Sequence, residues 1–160
     1  MVDVVDSATR SRMMAGIKGK NTKPEIAVRK ALHAQGLRYR VHAKEVPGRP
    51  DLVLPKYRAA IFVHGCFWHG HDCELFRLPS TRTEFWAQKI ESNRQRDAKV
   101  GAMLASAGWR ELTIWECAFR GAHKIGFDEV IQRAIEWIKS RSAKAEIRGK
   151  DGARRPQQLA

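Results

Sequence analysis

Phe62-Val63-His64-Gly65-Cys66-Phe67-Trp68-His69-Gly70-His71-Asp72-Cys73 closes an apolar run and then crowds two cysteines and three histidines around Phe67 and Trp68. The spacing Cys66-x4-His71-x-Cys73 reads as three ligands of a tetrahedral zinc site that needs a fourth. The one remaining cysteine, Cys117, stands at the end of another apolar run and completes a Cys3His set. On spacing alone His69 and His71 both fit the imidazole position. A site with four protein ligands is closed, so its metal is a structural clamp, contributing on the order of 10 kcal/mol to folding. His64 and one of the other two histidines are then free for proton transfer. Phe67 and Trp68 would ride on a metal-clamped loop rather than in a core.

The chain has 160 residues and a net charge of +13, which fits one domain and favours a polyanionic partner. A membrane is a poor alternative, since no run of about 18 apolar residues occurs. The N-terminal residues lack the pattern of a secretory signal. Because the metal reading uses all three cysteines, the expected compartment is reducing and intracellular. Rigid aromatics beside spare histidines in a basic chain point to a protein that grips nucleic acid and cuts it.

Working outward, residues 1–20 read as a basic arm or short helix with Met13, Met14 and Ile17 on its apolar side and Lys18 and Lys20 near its end. Asn21 or Thr22 caps a helix with Pro24 in its first turn, which Gly36 stops. Leu37–Val41, Pro50–Leu54 and Arg58–Val63 carry strand patterns, with a hairpin turn at Pro55–Tyr57 between the last two. Thr81-x-x-Glu84 reads as a capping box opening a long helix whose middle, Glu91–Lys99, is polar. Trp109–Trp115 is a further strand, and Asp128 caps a last amphipathic helix. The nuclease domain is therefore expected over 21–141, with 142–160 a disordered basic tail. The order α-α-β-β-β-α-β-α predicts an α/β sandwich around a mixed sheet.

Pro50-Asp51, then Phe62-Val63-His64-Gly65-Cys66-Phe67-Trp68-His69, Thr81-Arg-Thr-Glu-Phe-Trp86 and Trp115-Glu-Cys117 closely resemble the very short patch repair endonucleases of bacteria. The resemblance runs from about Thr9 to Trp137 and departs from the family's more continuous histidine run at Gly70 and Asp72. It implies a restriction-endonuclease-like fold of the PD-(D/E)xK group and Mg²⁺-assisted nicking 5′ of the thymine in T:G mismatches left by 5-methylcytosine deamination. It implies that Asp51 and the main-chain carbonyl of Val63 hold Mg²⁺, that His69 is the general base supported by Glu25, and that His64 stabilises charge at the phosphate. It also implies Cys66, His71, Cys73 and Cys117 as zinc ligands. Asn93 and Asp97 are candidates for support from the polar helix face.

Phe67, Trp68 and Trp86 are the expected wedges into a weakened base step, with Met14 pressing from the arm. Arg49, Lys20 and Lys23 are expected on phosphates. The expected partner is double-stranded DNA bound by a monomer, with mismatch-repair proteins and a cognate cytosine methyltransferase implied by the family. Two other readings use parts of the same pattern. A non-catalytic zinc-stabilised DNA-binding module would leave Asp51, His64 and His69 without purpose. A restriction-type nuclease acting on intact sites would need no wedges.

Overall fold

Parallel pairing of two strands far apart in the chain organises this protein. The computed structural model describes residues 21–150. Within them the elements are α1 (Lys23–Ala34), β1 (Leu52–Leu54), β2 (Ala59–His64), α2 (Thr83–Ser106), β3 (Arg110–Trp115), α3 (Phe127–Lys139) and β4 (Lys144–Ile147). The sheet has the order β1-β2-β3-β4; β1 runs antiparallel to β2, and β2, β3 and β4 are parallel. A mixed α/β sandwich is what the sequence pattern predicts. The expected arm, with Met14 and Lys20, lies outside the described residues, as does the end of the expected tail.

The alternation of side chains along a strand divides β2 between two cores. Ala59 and Ile61 join Leu52, Leu54, Leu112 and Ile114 on one face, where Val28 and Leu32 of α1 and Val130, Ala134 and Ile138 of α3 cover them. Ala60 and Phe62 point the other way, against Leu104 and Val100 of α2 and against Ala43 and Val46. Burial on both sides explains the nearly unbroken apolar reading of β2. Only Ile90 and Leu104 of α2 are fully buried, and Phe85 and Met103 are about half exposed. That long helix is thus held at a few points and leaves its polar middle facing outward or into a cleft.

Several sequence expectations are corrected. Leu37–Val41 makes a single bridge, Arg40 to Val53, rather than a strand; the chain turns away at His42, whose φ is +48°. The Thr81–Glu84 capping box is not the start of α2. The helix begins at Thr83 behind a left-handed Arg82, and the Thr83 hydroxyl donates to the carbonyls of Pro79 and Ser80. Asp128 does not cap α3; Gly126 holds that position, and Asp128 lies in the first turn, where its charge favours the helix dipole. The disordered tail expected from 142 begins instead as β4, whose Ala145 and Ile147 pack against the core. The Lys, Arg and Gly around those four residues hid so short a pattern. Thr22 does cap α1, accepting from the Glu25 N–H at 3.4 Å.

Two features bring chemistry to the sheet. The register sets His64 beside Trp115, so residues just past both strands emerge side by side. On the other flank, Gly48 (φ +78°) lets the chain turn tightly under α2 before Asp51: a Cβ there would lie 2.4 Å from Val100 Cγ1. Gly48→Ala is expected to destabilise the fold by roughly 1–3 kcal/mol in urea unfolding through clash and backbone strain. Adding Val100→Ala should relieve the clash but not the strain. A Gly48→Ala protein as stable as the parent would contradict this packing.

Candidate active site and metal cluster

A cleft of about 360 Å³ opens between the β2 end of the sheet and α2. Its walls include Glu25, Arg49, Asp51, Val63, His64, His69, Asn93 and Asp97, so eight residues singled out in the sequence meet in one place. Asp51 lies just before β1, and the hairpin folds it back onto β2, where its Oδ2 accepts the Val63 N–H at 2.6 Å. Burial pushes the Asp51 carboxyl up to about 7 against the lowering effect of that bond, and the neighbouring Glu25 carboxylate adds to the rise. Such a group has one protein donor on one oxygen and strong reason to acquire a cation.

Glu25 enters from α1 and is almost fully buried. Its Oε2 accepts from the Asn21 N–H at 2.9 Å and from Arg29 Nη2 at 3.0 Å. Sequence reasoning missed His42, whose Nε2 lies 3.5 Å from Glu25 Oε2 and 3.6 Å from Asp51 Oδ1. Glu25, His42 and Asp51 form a set able to hold a metal ion. His42 sits in an irregular segment with no motif around it; only folding brings it to the carboxylates.

His69 and Asp97 meet at 2.6 Å through Nδ1 and Oδ2, which orients the imidazole and leaves its Nε2 for other work. The His64 ring stacks on His69 at 3.7 Å between centroids, nearly parallel. Burial first, and the adjacent His69 second, pull His64 down to about 3. It is therefore neutral near pH 7, and its Nδ1 is buried without a hydrogen-bond partner. Asn93 donates Nδ2 to the Trp68 carbonyl at 2.8 Å, tying α2 to the loop after β2.

That loop carries the second cluster. Cys66, His71, Cys73 and Cys117 present ligand atoms all within 4.8 Å of one another. His71 Nδ1 lies 3.6 Å from both Cys66 Sγ and Cys117 Sγ, while His71 stacks on Trp115 at 3.9 Å. Cys117 is pulled down to about 4 by the Cys66 S–H donated to it and, against burial, by His71 and the Gly149 N–H. Cys66 and Cys73 are pushed up, Cys66 first by its bond to Cys117 and Cys73 by burial. Three thiols packed with one imidazole suit a soft divalent metal, whose binding displaces their protons. Of the two histidines left open by spacing, His71 joins the thiols and His69 turns to Asp97.

The loop also gathers aromatic rings. Trp68 and Trp86 lie 5.8 Å apart, Phe67 is 5.2 Å from Trp68 and 5.5 Å from Trp86, and half-exposed Phe85 edges onto Trp86. Phe67 and Phe76 are 6.2 Å apart and Phe76 is buried, so the group is anchored from below. Arg49 and Lys23 are exposed, Arg49 at the cleft mouth.

The family model described as DNA mismatch endonuclease Vsr matches residues 2–75. The chain is 47% identical to the DNA mismatch endonuclease Vsr of Escherichia coli (strain K12) over 92% of its own length and 94% of that protein. It is 48% identical to the type II nicking enzyme V.XorIIP of Xanthomonas oryzae pv. oryzae, over 73% of this chain and 86% of that one. A nicking enzyme of Neisseria meningitidis, V.NmeAIP, is 41% identical over 87% and 98%.

The cluster makes a direct prediction. Cys117→Ala removes the thiol that joins β3 to the loop, and if the cluster holds a metal the protein should lose that metal and its cooperative unfolding transition, a loss on the order of 10 kcal/mol at most. Metal analysis and near-ultraviolet circular dichroism read both. A Cys117→Ala protein with native spectra and no metal would contradict the clamp.

Proposed function

The chain belongs to the DNA mismatch endonuclease Vsr family, and from this we propose that it nicks one strand of duplex DNA on the 5′ side of the thymine in a T:G mismatch left by 5-methylcytosine deamination. The observation that carries the reading is the meeting, in one cleft, of a partly buried carboxylate and an aspartate-oriented histidine, with a cluster of aromatic rings on the loop that carries that histidine and on the helix beside it. We place the sheet in the PD-(D/E)xK group, with Phe62 and His64 where that group has its second acid and its lysine.

The reaction is hydrolysis of a phosphodiester. His69 accepts a proton from the attacking water, and Asp97 holds the ring at Nδ1 so that Nε2 faces the reaction. The water oxygen bonds to phosphorus, the P–O3′ bond breaks, and the leaving 3′-oxygen takes a proton from solvent to end as a hydroxyl. His64, neutral and stacked on His69, donates a hydrogen bond to the phosphate rather than a charge. Asp51 and the Val63 carbonyl would hold Mg²⁺, which supplies neutralisation of the phosphate charge when bound. The residues fit that role: Asp51 is partly buried, and desolvation makes its own ionisation unfavourable without a cation. Glu25, held by Arg29, keeps a second carboxylate nearby.

Mismatch recognition falls to Phe67, Trp68 and Trp86. Opening a base step costs a few kcal/mol, less at a wobble pair, and aromatic stacking returns roughly 1–3 kcal/mol per base. A T:G step is thereby favoured over a sound duplex. Arg49, Lys20 and Lys23 contact phosphates, and Met14 presses from the arm. We assign zinc to the Cys66, His71, Cys73 and Cys117 set because three thiols and an imidazole suit its tetrahedral preference. The enzyme acts as a monomer in the bacterial cytoplasm, on lesions arising where a cognate cytosine methyltransferase works and alongside mismatch-repair proteins. No helix among the described residues is long and apolar enough to cross a membrane.

Two substitutions test the assignment. Asp51→Ala should lower the nicking rate on a T:G duplex by roughly a thousandfold or more, while mismatch binding stays within about threefold. His69→Ala should lower it by about 10²–10⁴-fold. Single-turnover nicking and gel-shift binding separate the two effects. Unchanged nicking by Asp51→Ala would remove it from the reaction.

A further inference from the structure

The last described residues have no part in the reaction, yet they touch the thiol cluster at two points. β4 delivers Arg148, Gly149 and Lys150 across the outside of that cluster. Arg148 Nη1 donates to Asp72 Oδ1 at 2.7 Å and Nη2 to the Asp72 carbonyl at 3.0 Å, a two-pronged grip on the residue between His71 and Cys73. The gripped carboxylate oxygen lies 3.5 Å from His71 Nε2. That nitrogen is buried and otherwise unpartnered, and it carries the ring proton once Nδ1 faces the metal. The Gly149 N–H donates to Cys117 Sγ at 3.3 Å. The Lys150 N–H then bonds the His123 carbonyl at 2.7 Å and pins the end of the segment. The fit leaves no space for a side chain: a Cβ on Gly149 would lie 2.7 Å from the Cys117 carbonyl oxygen and 2.8 Å from that of His123.

We infer that the Arg148–Lys150 segment is the outer lock of the metal site, with Arg148 holding Asp72 against His71 Nε2 and Gly149 donating to the Cys117 sulfur. The inference rests on the zinc reading above. A carboxylate behind a ligating imidazole fixes the ring's orientation and raises its basicity, and an amide donated to a thiolate spreads the sulfur's charge; loss of such partners costs about 10–100-fold in metal affinity. The lock is mounted on an edge strand of four residues that pairs with β3 alone. Release of the ion is therefore expected to begin with this strand lifting, not with the buried loop opening.

The test uses the full chain with Arg148→Ala, Gly149→Ala and Asp72→Asn. Arg148 is partly exposed, so shortening it leaves no core cavity, and Asp72→Asn keeps the side chain's shape while removing its charge. Zinc release to a chromogenic chelator should be about 10–100 times faster in Arg148→Ala and Gly149→Ala and measurably faster in Asp72→Asn. With cobalt(II) in place of zinc, the thiolate-to-metal absorption bands should shift in Gly149→Ala, because the amide leaves the sulfur. Release within twofold of the parent in both Arg148→Ala and Gly149→Ala overturns the proposal. Faster release with unmoved cobalt bands also overturns it, reducing the segment to sheet packing. A parent protein that holds no zinc would sink the zinc reading itself; a zinc-loaded parent with unchanged variants would sink only the lock.

Discussion

Everything near the cleft hangs on the parallel pairing of β2 with β3, which sets His64 beside Trp115. Two residues beyond each of these positions stand Cys66 and Cys117, so the backbone register itself brings the two halves of the thiol cluster together. The loop between Cys66 and Cys73 is then fastened at both ends to the carboxyl edge of the sheet. Inside that fastened loop lie Phe67, Trp68 and His69. One constraint thus fixes the aromatic rings, His69 and the thiol cluster together, and side chains held to a fraction of an ångström are pre-set in orientation for whatever they act on.

The cleft shows the opposite economy. Asp51 is partly buried where ionisation is unfavourable, beside a second carboxylate, and only the Val63 N–H and the more distant Arg29 favour its charged form. This local instability is the kind of departure from a comfortable interior that functional sites carry. Glu25 is different: Arg29 and the Asn21 amide satisfy it fully enough that its burial is unremarkable. The pair joins one settled carboxylate to one unsettled one, with His42 between them. Across the cleft, Asp97 settles His69 while His64 is left with an empty buried nitrogen.

Much of this was legible in the chain because the informative residues are close in sequence. Cys66, His71 and Cys73 announce themselves by spacing, and β2 by its apolar run. Glu25 is legible only through resemblance, and Asn93 and Asp97 only through the polar face of their helix, since a lone carboxylate or amide on a helix carries no signature of its own. His42 and Arg148 were invisible for a physical reason: their partners lie 9 to 76 positions away and meet them only in the folded chain. The capping signals failed where glycine or a left-handed residue took the cap position, at Gly126 and Arg82. β4 failed because four residues are too few for a period to show.

The most direct test of the account is strand-specific nicking of an end-labelled duplex containing one T:G pair in a methyltransferase-type site, beside its T:A control, in Mg²⁺ and then with EDTA. The account predicts a single cut 5′ of the mismatched thymine, absent from the control duplex and abolished by chelation. Equal cutting of the T:A duplex, or tight mismatch binding with no cut in Mg²⁺, would contradict it.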